Sequence, residues 1–355
     1  MSKYILVINP GSTSTKVAVY RNEELIFEKK LSHSIDDITV FPRVIDQYTF
    51  RKDIIMKTME EHNFDLSLLN AVCGRGGILK SLVSGTYLIN QAMLDDLKLA
   101  KRGEHASNLG ALLAHDIASQ LNIPAFIVDP VSVDEMEPIA KISGMPLIER
   151  PSIFHALNHK AIAHQVAFDN NQKLESMNLI IAHLGGGISV AVHQEGRVID
   201  VNDALDGDGP MSPERSGTVP LGPLYKMCFS GKYTLKDIQA MNYGQGGLFA
   251  YLGTSDAREI VNRIENGDYY AKLIFDAMIY QIAKEIGAAS TVLRGDVDYI
   301  VLTGGLAYRD YLIKELISRV EFIAKVLVYP GENEMLALAK GAIKVLENKE
   351  EAKIY

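Results

Sequence analysis

The chain has 355 residues, too many for one ordinary core and suited to two domains of roughly 150–200 residues each. Hydrophobic residues make up 47% and charged residues 23%, a globular balance that excludes a disordered or fibrous chain. The net charge of −8 argues against a general nucleic-acid or anionic-membrane surface, which needs excess Lys and Arg, but leaves room for a locally positive cleft.

From the N-terminus, the apolar run Tyr4 to Ile8 is short and leads straight into a loop, so no signal peptide is expected. It opens a meander: Tyr4-Ile5-Leu6-Val7-Ile8, the loop Asn9-Pro10-Gly11-Ser12-Thr13-Ser14-Thr15-Lys16, then Val17-Ala18-Val19 and, after a polar turn, Leu25-Ile26-Phe27. A helix is expected over 53–62, followed by a buried strand Ala71-Val72-Cys73 running into Gly74-Arg75-Gly76-Gly77. Helices follow over 91–101 and 108–121, the second with Leu109, Leu112, Leu113 and Ile117 at the spacing of one helix face. The apolar strand Ala125-Phe126-Ile127-Val128 ends at Asp129, and strands alternating with helices predict an α/β sheet with its chemistry at strand ends. Pro138, Pro146 and Pro151 place a domain crossover near residue 150, giving domains over 1–150 and 151–332.

A helix over 155–168 opens the second half, and then the meander returns. Leu179-Ile180-Ile181-Ala182 leads into His183-Leu184-Gly185-Gly186-Gly187-Ile188-Ser189, then Val190-Ala191-Val192 and Val198-Ile199. An irregular loop over 203–223 is rich in Gly, Pro and Asp, and a long helix is expected over 270–294. The strand Tyr299-Ile300-Val301-Leu302 ends in Thr303-Gly304-Gly305 before a helix over 309–319. A strand over 325–328 and a helix over 333–347 complete the pattern, with residues 350–355 expected to fray. No run approaches the ~20 apolar residues of a membrane span. Cys73 and Cys228 read as two reduced, buried thiols with neither disulfide nor zinc spacing, and a cytoplasmic location is expected.

Each Gly/Ser loop taken alone reads either as a β-turn or as a backbone phosphate grip. Two such loops, one with three consecutive glycines that cost folding entropy, favour the grip and suggest related domains facing one nucleotide. Neither is a Walker loop, because no Gly-Lys-Ser/Thr ending follows, nor a Rossmann turn, because a strand follows rather than a helix. The pair Gly304-Gly305 reads either as a tight strand-to-helix turn or as a flat surface for adenosine.

Through these motifs the chain resembles the superfamily of acetate kinases, sugar kinases, Hsp70 and actin, from residue 3 to about residue 345. The segments Val7 to Lys16, Phe154-His155-Ala156-Leu157-Asn158-His159 and His183 to Ser189 are similar to those of acetate and butyrate kinases. The loop Gly185-Gly186-Gly187-Ile188-Ser189, the segment His105-Ala106-Ser107-Asn108-Leu109-Gly110 and Pro213-Glu214-Arg215-Ser216-Gly217 resemble the butyrate kinases most. Acetate kinases characteristically carry Asn where Gly186 stands. The resemblance implies two duplicated ribonuclease H-like (actin-like ATPase) α/β domains with a nucleotide cleft between them, the last helix and residues 333–355 returning to the first. It implies reversible phosphoryl transfer from ATP to a short-chain carboxylate, with Mg²⁺, and a homo-oligomer built from dimers.

On that resemblance Arg75, Arg215, His183 and, less directly, His155 are the catalytic candidates. Asn9, Gly11, Ser12, Ser14, Lys16, Gly185, Gly186 and Gly187 would hold the ATP phosphates, and Gly304 and Gly305 the adenosine. Arg75, Gly77, His105, Asn108 and Phe154 would line the substrate side, while Asp129 and Glu334 would place the metal. Glu332 is close enough in sequence to exchange roles with Glu334, and His159 reads equally as a structural histidine. Asp203, Asp206 and Asp208 are a rival acidic cluster, better read as solvated loop carboxylates. Acetate kinases place a valine where Gly77 stands, so its absence is expected to open room for about two methylenes of a four-carbon acid, straight or branched. A branched-chain fatty-acid kinase shares every motif named and is a close alternative; a kinase for acetate or propionate is a third. A non-catalytic ATP-binding switch of the same fold is the alternative from another class.

Overall fold

The opening strand, β1 (Tyr4–Pro10), is buried on both faces, which is why it reads as an unbroken apolar run rather than an alternating one. It seeds the first of two sheets in the computed structural model, which describes residues 2–355. The chain divides into two compact units, one running to Val133 and resuming over Asn333–Tyr355, the other Asp134–Glu332.

In the first unit β1 pairs antiparallel with β2 (Ser14–Arg21), and β2 with β3 (Glu24–Ser32). On its other edge β1 runs parallel to β4 (Leu69–Arg75), which runs parallel to β6 (Ala125–Val128); β5 (Thr86–Leu88) is antiparallel to β6. The full order is the terminal strand Lys353–Ile354, then β5, β6, β4, β1, β2 and β3. Side chains alternate between faces. Leu6, Ile8, Val72 and Ile127 join a core with Ile55, Met93, Leu109 and Leu113 from the helices Tyr48–Glu61, Gln91–Leu99 and Asn108–Leu121. The opposite face receives the helix Glu334–Leu346, where Gly341 lies so close to Val128 that a Cβ would strike its methyl groups.

The second unit repeats the meander. Strands β7 (Asn178–Leu184), β8 (Ile188–Gln194) and β9 (Arg197–Val201) are antiparallel, while β10 (Tyr299–Gly304) is parallel to both β7 and β11 (Lys325–Pro330). One face packs Ile180, Val190, Ile300 and Leu302 against Phe275, Met278 and Ile282 of the helix Tyr269–Val292. The other packs Leu179, Ile181 and Val301 against Ile162 and Val166 of the helix Ala156–Asp169.

Four expectations need correction. The crossover lies at Val133/Asp134, ahead of the prolines used to place it near 150. Residues 134–150 are tied to β9: Glu137 N–H donates to Ile199 O at 2.9 Å, and Arg150 pairs with Asp200 at 2.9 Å. The last residues are not frayed, because Lys353–Ile354 adds to β5 and the Tyr355 hydroxyl donates to Asp96 at 2.5 Å. The 203–223 loop ends early in the helix Leu221–Cys228, followed by the helices Leu235–Asn242, Gly247–Leu252 and Ala257–Glu265. The helices Leu221–Cys228 and Leu235–Asn242 bury no side chain. Cys73 is buried, but Cys228 is exposed at the end of such a helix. Among the described residues no helix is long and apolar enough to cross a membrane.

Candidate active site

In the first unit the C-terminal ends of the parallel strands β1, β4 and β6 lie side by side, and each delivers a functional candidate. The pairing of Ile8 with Gly74 sets Asn9 beside Arg75. Both meet Glu334, the first residue of the returning helix: Asn9 Nδ2 donates to Glu334 Oε2 at 2.9 Å, and the Arg75 guanidinium pairs with the same oxygen. Glu334 is 5% exposed, so this is a buried, charge-assisted cluster that holds Arg75 in one orientation. One strand further, Asp129 sits at a positive φ of 39°, and its Oδ1 accepts from Ser84 Oγ at 2.7 Å and Gly85 N–H at 2.8 Å.

The turn between β1 and β2 closes with Gly11 N–H donating to Ser14 O at 2.7 Å. Ser12 and Thr13 at its tip are exposed, and Lys16 lies directly across from Asn9. Thus Asn9, Arg75, Asp129 and Glu334 share one sheet edge with this turn. Three of its acceptor groups are held from behind by the buried Arg51, which no sequence motif pointed to.

The helix Asn108–Leu121 presses on the end of β4 through two glycines. A Cβ on Gly74 would strike the Gly110 carbonyl, and one on Gly110 would strike that of Arg75. The room expected at Gly77 is therefore not there. A Cβ on Gly77 would lie 2.6 Å from Asn108 Cα and 2.9 Å from its backbone nitrogen. Gly77 is a close approach of two backbones, not an opened acyl pocket. Asn108 itself is a clamp: its Oδ1 accepts from Ile78 N–H at 2.9 Å and its Nδ2 donates to Gly103 O at 3.0 Å. His105 Nδ1 accepts from Ser107 N–H at 3.2 Å, which leaves the proton of the neutral ring on Nε2.

The second unit holds its own glycine turn and arginine. Gly185 N–H donates to Gly187 O at 3.1 Å between β7 and β8, and Gly186 is exposed at the tip. Gly187 leaves space that the Arg215 guanidinium fills: a Cβ there would come within 2.5 Å of its Cζ. Ser212 Oγ fixes the two segments together, donating to Gly186 O at 2.6 Å and accepting from Arg215 N–H at 3.1 Å. The guanidinium also lies 5.0 Å from the Tyr243 ring. Burial lowers its pKa from the ordinary arginine value, while Tyr243, Glu214 and Asp203 pull it back.

Behind the turn is a histidine stack. His183, 1% exposed, lies 3.8 Å from the His155 ring at an interplanar angle of 12°. Its Nδ1 bonds Asn158 Oδ1 at 2.9 Å, and its Nε2 faces Glu332 Oε1 at 3.3 Å, an ion pair when the ring is protonated. Ser189 Oγ joins His155 Nδ1 at 2.9 Å to His159 Nε2 at 2.8 Å, and His193 continues the chain to His159 at 3.4 Å. Burial, and then neighbouring basic groups, hold His159 and His193 well below the usual imidazole pKa, so both are neutral. Phe154 is buried and packs edge-on against His159 at 5.3 Å. Glu332 and Glu334 meet different partners: one faces His183, the other Arg75 and Asn9.

Gly304, at φ 91°, is a close approach, since a Cβ would lie 2.5 Å from Leu184 O; Gly305 has open space around it and is exposed. The acidic cluster folds its own loop. Asp203 Oδ1 accepts from Leu205 N–H at 2.8 Å and Asp206 N–H at 3.1 Å, and Asp208 accepts from Asp203 N–H. Asp203 and Asp208 are half-buried rather than solvated, and burial raises both carboxyls. Among the described residues no three His, Cys, Asp or Glu side chains converge on a metal position. Magnesium requires no such set, since one or two carboxylates with phosphate oxygens and water suffice, and Asp129 and Glu334 on one sheet edge fit that demand.

Residues 147–346 match the model of the acetokinase family. The structure is similar to that of Porphyromonas gingivalis acetate kinase, with a TM-score of 0.78, 19% identity, and coverage of 97% of this chain and 100% of that one. It is similar to a propionate kinase from Francisella tularensis subsp. tularensis SCHU S4, with a TM-score of 0.75, 20% identity, and coverage of 96% and 98%. An acetate kinase from Entamoeba histolytica gives a TM-score of 0.76, 18% identity, and coverage of 96% and 99%. At these identities the likeness speaks for the fold, two sheets in a mixed α/β arrangement of the acetate kinase, actin-like type.

Proposed function

We propose, from the premise that this chain belongs to the acetokinase family and is a carboxylate kinase, that its acceptor is a four-carbon acid, butyrate or isobutyrate. The observation that carries phosphoryl transfer is the same pairing made twice: a glycine turn with an arginine fixed beside it, Arg75 in one unit and Arg215 in the other. The four-carbon preference is supported by Gly186 and by the segments 105–110 and 213–217, which resemble butyrate kinases.

The nucleophile needs no activation, because short carboxylic acids ionise with pKa values of about 4–5. One carboxylate oxygen attacks the γ-phosphorus of ATP, the bond to the β,γ-bridging oxygen breaks, and acyl phosphate and ADP result. The work left to the protein is alignment and charge neutralisation. The backbone amides of residues 12, 13, 186 and 187, with Asn9, Ser12, Ser14 and Lys16, would hold the phosphates in turns shaped by Gly11 and Gly185, and Gly304 and Gly305 the adenosine. Arg75, fixed by Glu334, would grip the substrate carboxylate and the transferring group in its planar fork. Arg215 and His183 would donate to the equatorial oxygens, with His155 stacked on His183. Asp129 and Glu334 would hold Mg²⁺, which when bound neutralises phosphate charge.

A non-catalytic ATP switch has no use for an arginine fixed beside each glycine turn. Hydroxamate trapping of acyl phosphate with acids of two to six carbons tests the substrate: kcat/KM is expected to peak at four carbons, and a peak at acetate or propionate would reject that preference.

A further inference from the structure

The helix Tyr48–Glu61 carries a cation that the reaction above does not use. Arg51 has none of its surface exposed. All five guanidinium N–H groups have acceptors, and every acceptor is electrically neutral. Nε and Nη2 donate to Gln47 Oε1 at 3.1 and 2.9 Å; Nη1 donates to Ser14 O at 3.1 Å and Thr15 Oγ1 at 2.9 Å; Nη2 also donates to Ser12 O at 3.3 Å. Among the described residues no carboxylate pairs with it. His33, on Thr15 Oγ1 at 2.9 Å, is kept neutral by burial and by the guanidinium itself. Burial pushes the guanidinium down to about 10, which leaves it charged at neutral pH.

A buried cation with no counter-ion is costly, and an anionic ligand at this turn would supply the missing charge. The position is specific. The acceptors Ser12 O, Ser14 O and Thr15 Oγ1 lie in the turn between β1 and β2 and at the start of β2, so the guanidinium lies directly behind the turn. Because the peptide unit is planar and trans, a Ser12 carbonyl turned toward Arg51 aims the Thr13 amide to the opposite side, where the turn is exposed.

We propose that Arg51 is a positioning residue and the buried counter-charge for the nucleotide polyphosphate, holding the carbonyls of Ser12 and Ser14 inward and balancing the phosphate charge from behind the turn. The proposal rests on the reading of that turn as an ATP phosphate site. It requires the affinity for ATP, and not for adenosine, to depend on the charge at position 51.

Titration calorimetry with ATP, ADP and adenosine on the wild type and on Arg51→Met, Arg51→Gln and Arg51→Lys tests it. Arg51→Gln retains amide donors for the carbonyls without the charge, and it carries the test should Arg51→Met fail to fold. The expected result is ATP binding weakened on the order of tenfold or more in the two neutral variants, adenosine binding unchanged within about twofold, and Arg51→Lys in between. Parallel losses for ATP and adenosine, or unchanged ATP binding in the neutral variants, would overturn the counter-charge role. If the wild type itself binds no ATP, the nucleotide reading has failed and this inference falls with it.

Discussion

Replacing Gly187 with alanine tests whether the second glycine turn serves Arg215 rather than only itself. Gly187 does not sit in the left-handed φ region that favours glycine, so the new methyl brings no strain of that kind. Its effect is steric: the Cβ would come within 2.5 Å of Arg215 Cζ and closer still to Nη1. The guanidinium must leave its place beside the turn, because Ala204 O, 3.0 Å from that Cβ, closes the other side. If Arg215 donates to the transferring phosphoryl group, its displacement removes one transition-state donor, worth about 10²–10³ in kcat or roughly 2.7–4 kcal/mol. Steady-state kinetics should therefore show kcat falling by that factor, with ATP affinity within a few fold. Arg215→Ala should fall similarly, and the double variant should be no slower than Arg215→Ala alone, since both act on one group. Additive losses, or near-normal turnover in Gly187→Ala, would refute the reasoning.

Gly77→Ala is expected to destabilise the protein by about 1–3 kcal/mol through its clash with the Asn108 backbone, read as a lower urea midpoint. An unchanged midpoint with a shifted acyl preference would restore the open-pocket reading. The neutral histidines make stability depend on pH. His159 and His193 have folded pKa values below the ordinary 6.5, so the unfolded chain binds more protons as pH falls through that value. Their contribution is fully present above about pH 6.5 and is lost on acidification. The urea midpoint should fall between pH 7.5 and 5.5, and by less in His193→Phe; an equal fall in both would remove His193 from the effect.

Local patterns made the two meanders legible. Apolar runs flank Gly/Ser turns in each, and the helix expected over 108–121 is the observed Asn108–Leu121 because one of its faces is wholly buried. The helices Leu221–Cys228 and Leu235–Asn242 were not legible, since Leu221, Phe229 and Leu235 stay exposed and mimic core residues. At the site, the arginines and glycine turns could be read from their motifs, but their mutual support could not. Gly77 meets Asn108, Arg75 meets Glu334, and Gly187 meets Arg215 only across the fold, through contacts that no sequence period encodes. Arg51 was hidden for the same reason, as one of three basic residues in its helix, with the Ser12 and Ser14 carbonyls that accept from it far away in sequence.

Phosphorus NMR of the wild type, Arg75→Ala and Arg215→Ala with Mg-ATP and butyrate addresses the central claim most directly. Acyl phosphate and ADP are expected in equal amounts with the wild type, and turnover lower by orders of magnitude in each variant while ATP still binds. Release of inorganic phosphate without acyl phosphate, or wild-type rates in both variants, would contradict that claim.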